Sequence, residues 1–212
     1  MTTMTELSHL HRFLPAAEPG RPPLLLLHGT GGDEDDLLPL GRAVAPGSAL
    51  LSPRGKVLEG GMPRFFRRLA EGVFDEADVR RRADDLAAFI AEAREAYGLA
   101  APVALGFSNG ANIAAALLER RPETLAGAAL LRAMVPLPDA PAAAVAGKPV
   151  LILSGASDPI VPAENAARLA GALRTAGALV DHRVLPVGHA LSQADISVTK
   201  AWLAERWPHG TS

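Results

Sequence analysis

Val103-Ala104-Leu105-Gly106-Phe107-Ser108-Asn109-Gly110-Ala111-Asn112 reads as a buried strand that turns at once into a helix, with a serine at the turn. The apolar run before the turn suits a strand, and Ala111 to Leu118 carries a helix-forming pattern behind it. Between them stands G-x-S-x-G. A serine in so tight a bend projects its hydroxyl from the sheet edge, and glycine two positions either side lets neighbouring backbone approach. The helix start adds backbone N–H groups and a positive dipole end. An ordinary glycine-rich turn would share the pattern, so the strand before and the helix after carry the weight.

A serine hydroxyl needs a base and the base needs an orienting acid, so later strands should end in a carboxylate and then a histidine. Val150 to Leu153 runs into Ser154-Gly155-Ala156-Ser157-Asp158-Pro159, and Val180 to Leu185 runs through Pro186-Val187-Gly188 into His189. Ser108, Asp158, His189 is the chain order of triads built on a strand-turn-helix serine. Asp158 alone would read as a turn carboxylate and His189 alone as a loop histidine; together they make candidate catalytic residues. The first strand ends in His28-Gly29-Thr30-Gly31-Gly32, and the backbone N–H groups of Thr30 and Asn109 are the candidate oxyanion donors. His28 is expected to order that loop by hydrogen bonding. The acidic run Asp33 to Asp36 is expected to meet a helix start, with Asp33 as its cap, and not to bind metal.

Working outward, Leu24 to Leu27, Ala49 to Leu51, Val103 to Phe107 and Val150 to Leu153 are short apolar runs of buried-strand character, joined by Ala126 to Leu131 and Val180 to Leu185. Between them, Val79, Ala83, Leu86, Ile90, Ala93 and Tyr97 recur at alternating spacings of four and three over Asp78 to Tyr97, which is one helical stripe stopped by Gly98. Asn112 to Arg121, Pro162 to Ala176 and Asp195 to Trp207 also have helical character. Alternating strands and helices predict an α/β fold with a mostly parallel central sheet covered on both faces, in a single domain over residues 1–212. Ser52 to Glu76 breaks the alternation as a long irregular excursion near the site, and Ala133 to Lys148 is a second irregular stretch rich in Pro and Ala.

The 212 residues are 49% hydrophobic and 21% charged with a formal net charge of -2, enough for one core and without the field that nucleic acid or an anionic membrane would need. There is no cysteine, hence no disulfide framework, thiolate metal site or thiol nucleophile. Met1 to Leu14 lacks a signal-peptide core and no run is long enough to span a bilayer, so a cytoplasmic protein is expected. A dinucleotide fingerprint begun at Gly29-Thr30-Gly31 fails at Glu34, and no phosphate loop occurs.

With these motifs in view, the chain resembles the α/β-hydrolase superfamily and, within it, the phospholipase/carboxylesterase family of predicted esterases. The resemblance rests on His28-Gly29-Thr30-Gly31-Gly32, Leu51-Ser52-Pro53-Arg54-Gly55, Gly106 to Asn112, Gly155-Ala156-Ser157-Asp158-Pro159-Ile160-Val161-Pro162 and Gly188-His189. It implies cleavage of small or medium carboxylic esters through an acyl-serine, on a core with minimal cap and with no cofactor. Acyl-protein thioesterases of the family carry glutamine after the nucleophile. Asn109-Gly110-Ala111 is instead similar to the branch associated with hydroquinone and aromatic-compound resistance. Hydrolysis of thioesters or lysophospholipids by the same triad is one alternative, and a non-catalytic small-molecule receptor on the same fold is another. By family analogy a homodimer is an open expectation that no residue specifies.

The excursion follows a strand's carboxyl end, where open α/β sheets take ligands. Met62, Phe65 and Phe66, with Met134 opposite, are therefore candidates to line a substrate pocket, or else they pack the loop onto the core. Arg54 is a candidate to bind an acidic group of the substrate, or else it pairs with a nearby carboxylate.

Overall fold

The computed structural model describes residues 7–138, 145 and 147–208. Its elements run β1 His11–Leu14, β2 Leu24–Leu27, α1 Leu38–Val44, β3 Leu50–Pro53, β4 Val57–Glu59, β5 Met62–Arg64, β6 Arg68–Ala70, β7 Val73–Phe74, α2 Glu76–Tyr97, β8 Val103–Phe107, α3 Asn109–Arg120, β9 Gly127–Leu131, β10 Pro149–Gly155, α4 Ala163–Thr175, β11 Leu179–Leu185 and α5 Gln193–Arg206. A seven-stranded sheet takes the order β1-β3-β2-β8-β9-β10-β11. All its pairings are parallel except β1 against β3.

The strands are apolar throughout because both faces are covered. Side chains alternate across the sheet: Leu25, Leu27, Ala104, Ala128, Leu130, Val150 and Ile152 meet the side covered by α2, α3 and α4. Leu24, Leu26, Val103, Leu105, Ala129, Leu131, Leu151 and Leu153 meet the side covered by α1 and α5. That period of two is what an uninterrupted Leu24 to Leu27 run cannot reveal, since every position is buried. Helix α2 forms on the expected stripe, capped by Asp75, whose side chain accepts from the Asp78 N–H, and closed by Gly98 at φ 65°.

Several expectations change. The excursion over Ser52 to Glu76 is not irregular: β4 pairs with β5 and β6 with β7 as two antiparallel hairpins. Phe65 and Phe66 do not line a pocket from it but are buried in the core with α2 and α3. Asp33 caps no helix, because Asp33 to Leu37 form turns and α1 begins only at Leu38 without a side-chain cap. Its Oδ1 accepts instead from the Asp35 N–H at 2.9 Å. Within the stretch Ala133 to Lys148, residues 139–144 and 146 lie outside the described residues, as do residues 1–6 of the amino-terminal stretch. Among the described residues no helix is long and apolar enough to cross a membrane.

The tightest packing is at the turn into α3. A Cβ on Gly106 would stand 2.5 Å from Gly110 O and 2.7 Å from Ala111 N, and one on Gly110 would overlap the Leu27 carbonyl and lie 2.6 Å from His28 O. Both are backbone obstacles that cannot swing aside. Gly110→Ala is therefore expected to cost about 3 kcal/mol or more and to lower Tm by roughly 10 °C. Gly171 in α4 has no atom within 4 Å of its would-be Cβ, so Gly171→Ala is expected to stabilise by about 0.5–1 kcal/mol. Thermal unfolding of the two variants checks both signs.

Candidate active site

Ser108 occupies the turn between β8 and α3 at φ 52° and ψ -114°, a left-handed conformation for a residue with a side chain. Its N–H donates to Leu131 O at 2.9 Å, tying the turn to the end of β9, while α3 starts at the next residue. The loops after β10 and β11 carry the other two groups to the same sheet edge. His189 Nε2 lies 3.0 Å from Ser108 Oγ, and His189 Nδ1 lies 2.8 Å from Asp158 Oδ2. An ionised carboxylate only accepts, so Nδ1 carries the proton and Nε2 is free to accept from the serine hydroxyl.

Asp158 has a side chain with no exposed surface. Burial pushes its carboxyl up, but the Val161 and Ile160 N–H groups on Oδ1, at 3.0 and 2.8 Å, and His189 on Oδ2 together pull it below the ordinary carboxylate value. Asp158 thus stays charged at any pH where an ordinary aspartate does.

The His189 loop is held from beneath by Arg132, a residue with no exposed surface and φ 59° directly after β9. Its Nε donates to Gly188 O at 3.0 Å and its Nη2 to Ala190 O at 3.2 Å, so the guanidinium grips the chain on both sides of His189. The charge is met by Asp195 of α5, at 2.7 Å from Nη1 and 2.9 Å from Nη2. Asp195 also accepts from the Ser192 N–H and hydroxyl as part of a capping box at the start of α5.

Asparagines in the first turn of α3 fix the walls on either side. Asn109 Oδ1 accepts from Phe65 N at 2.7 Å, and Asn112 Oδ1 accepts from Met134 N at 2.7 Å. The loop after β2 is tied to the first hairpin by Gly31 N to Pro63 O at 3.0 Å, and it carries Thr30 to the same edge. His28 orders this loop as expected: Nδ1 donates to Gly29 O at 2.7 Å and Nε2 accepts from Gly55 N at 3.0 Å. Burial lowers its pKa, which keeps it neutral for that pair of bonds.

These groups surround a cavity of about 340 Å³ that contains Ser108, His189, Thr30, Asn109 and Met134. Met62 is not among its walls; it is 44% exposed and lies against Gly31. Arg54 is not there either, because its Nε and Nη2 form a two-pronged pair with Glu34 at 2.5 and 2.9 Å. Wall residues that the sequence did not single out include Arg64, Arg68, Phe74, Phe107 and Arg132. Arg132 had one signal, a charge placed directly after a buried apolar run; Arg64 had none. Among the described residues no cluster of three or more His, Asp or Glu is arranged to hold a metal ion.

The chain matches the family model described as alpha/beta hydrolase fold over residues 22–147. It is 46% identical over 184 residues to the "Putative hydrolase MhqD" of Bacillus subtilis (strain 168), covering 86% of this chain and 92% of that one. The crystal structure of a Bacillus cereus carboxylesterase superposes with a TM-score of 0.91 at 44% identity, over 93% of this chain and 94% of that chain. A carboxylesterase from Mesorhizobium loti gives a TM-score of 0.90 at 36% identity, over 95% and 97%.

Removing the carboxylate beneath the His189 loop tests how much of the site depends on it. Asp195→Asn is expected to cost about 3–5 kcal/mol at pH 7, because it strands a buried guanidinium. Burial raises the Asp195 carboxyl, but Arg132 and Ser192 outweigh it and hold the pKa below the ordinary value. Its contribution is therefore complete above the unfolded value of about 3.9 and is lost as pH falls through the lower folded one. Urea unfolding should show the gap between wild type and Asp195→Asn narrowing below about pH 4.

Proposed function

The chain belongs to the alpha/beta hydrolase fold family, and on that premise we propose that it is a serine carboxylesterase acting on small or medium carboxylic esters. The observation that carries the reading is the continuous relay Ser108 Oγ to His189 Nε2 at 3.0 Å and His189 Nδ1 to Asp158 Oδ2 at 2.8 Å, open to a cavity. Ser108 Oγ attacks the ester carbonyl carbon while His189 Nε2 takes its proton. Asp158 holds the ring in the tautomer that accepts this proton and stabilises the imidazolium.

The negative oxygen of the tetrahedral intermediate is received by the N–H groups of Thr30 and Asn109. As the first residue of α3, Asn109 has an N–H without a partner inside the helix, which leaves it free for this task. His189 then gives its proton to the leaving alcohol oxygen, and the C–O bond breaks to leave an acyl-Ser108. Water, deprotonated by His189, attacks the acyl carbon and releases the acid. The neighbouring carboxylesterase structures support an ester as the substrate.

Ser108→Ala is expected to keep the fold and lose roughly 10⁴-fold or more in kcat, and to lose labelling by a fluorophosphonate, mapped by peptide mass. Asp158→Asn should retain the oxyanion donors and lose roughly 10⁴-fold. Turnover of p-nitrophenyl acetate, butyrate and octanoate by Ser108→Ala at the wild-type rate would remove the serine from the mechanism. Preference for thioesters over oxygen esters of matched chain length would replace the ester assignment with the thioester one.

A further inference from the structure

One charged group on the cavity wall has no part in the steps above. Arg64, the last residue of β5, is 3% exposed and lines the same cavity as Ser108 and His189. Its Nε donates to Phe66 O at 3.2 Å and its Nη1 to Thr30 Oγ1 at 2.7 Å. Nη2 has no hydrogen-bond partner among the described residues and is not one of the fully enclosed unpartnered atoms, and the side chain that carries it lines the cavity.

The charge of Arg64 is poorly met by the protein. Among the described residues its one carboxylate neighbour is Glu59, 3.3 Å from Nε. Glu59 is engaged more closely by Arg68, at 2.9 Å from Nε and 2.8 Å from Nη2, so one carboxylate serves two guanidinium groups. Arg132 on the opposite flank is neutralised by Asp195. Glu71 at the rim is exposed and screened by water. Burial, with the like charge of Arg68, pushes the pKa of Arg64 down against the pull of Glu59. A buried guanidinium on a cavity wall with an N–H that no described residue accepts is a donor that carboxylates fit.

Position in the sheet says which part of a substrate the group would meet. Thr30 and Arg64 stand on the β2 side of β8, whereas His189 arrives from β11 on the other side. The leaving alcohol must sit within reach of His189, so a charged group on the far flank, such as Arg64, is better placed for the acyl portion than for the alcohol. We propose that Arg64 recognises a carboxylate on the acyl part, so that the site takes monoesters of dicarboxylic acids, with the free carboxylate on Arg64 and the ester carbonyl at Ser108. Water adds across the ester C–O bond to give the dicarboxylate and the alcohol, and no further reactant is required. This assignment rests on the esterase reading above.

The test compares monoethyl succinate and monoethyl glutarate with ethyl butanoate and ethyl pentanoate, following ethanol release by the wild type, Arg64→Met and Arg64→Lys. Wild type is expected to favour the acidic ester by about tenfold or more in kcat/KM, mainly through KM, and free glutarate should compete with turnover. Arg64→Met should bring the acid-to-neutral ratio near one, with partial recovery in Arg64→Lys. Equal loss on both esters in Arg64→Met would overturn the proposal and make Arg64 a support for the Thr30 loop. Should neither Arg64 variant fold, the wild type alone decides: equal use of acidic and neutral esters with no competition by glutarate overturns it. Absence of turnover on every ester, with no fluorophosphonate labelling of Ser108, would be failure of the esterase reading itself.

Discussion

The site depends on a backbone contact: the first turn of α3 lies directly on the ends of β2 and β8, with no side chain between. Gly106 and Gly110 make that approach possible, since a Cβ at either would meet main-chain atoms of α3 or β2. With the helix this close, Ser108 is forced to φ 52° and its hydroxyl stands clear of the sheet. The N–H of Asn109, the first residue of α3, has no partner inside the helix. Packing of this kind ties Ser108 to the rigid core, whose apolar residues on both sheet faces are almost all sealed from water.

From the same turn the first helix residues reach out and hold the walls. Asn109 binds the backbone at Phe65 and Asn112 binds it at Met134, so the hairpins on one flank and the segment after β9 on the other share one anchor. An amide oxygen one methylene from the backbone reaches a neighbouring N–H with little rotamer freedom to lose. The histidine flank is secured differently, by a buried ion pair. Arg132 and Asp195 are costly to desolvate, and the compensation is a set of donors aimed at Gly188 and Ala190 around His189. We regard that pair as a device for placement more than for stability.

Much of this was legible in the sequence because it follows from strand ends. A parallel sheet delivers the residues after its strands to one edge, so Ser108, Asp158 and His189 could be placed there from apolar runs alone. Elements without an apolar run escaped. β1 is an edge strand reading His11-Arg12-Phe13-Leu14, mostly half-buried, and it pairs antiparallel to β3. The hairpins are built of strands two or three residues long, too short for a period to declare itself. Phe65 and Phe66 illustrate the limit: aromatic residues in a loop have the same pattern whether they face a ligand or the core, and here α2 and α3 receive them. Arg54 met the nearest carboxylate, Glu34, whereas Arg64, ten residues on, was carried to the cavity by a register that no local pattern encodes.

Asp195 joins the two ends of the story, serving both the cap of α5 and the grip on His189. It is supplied by the last helix of the sheet's covering layer, long after β8 and the serine turn have been made. During synthesis the chain can assemble its sheet centre and still lack the carboxylate that neutralises Arg132. Order around His189 therefore draws on a residue from outside the three loops that carry Ser108, Asp158 and His189, and from late in the sequence.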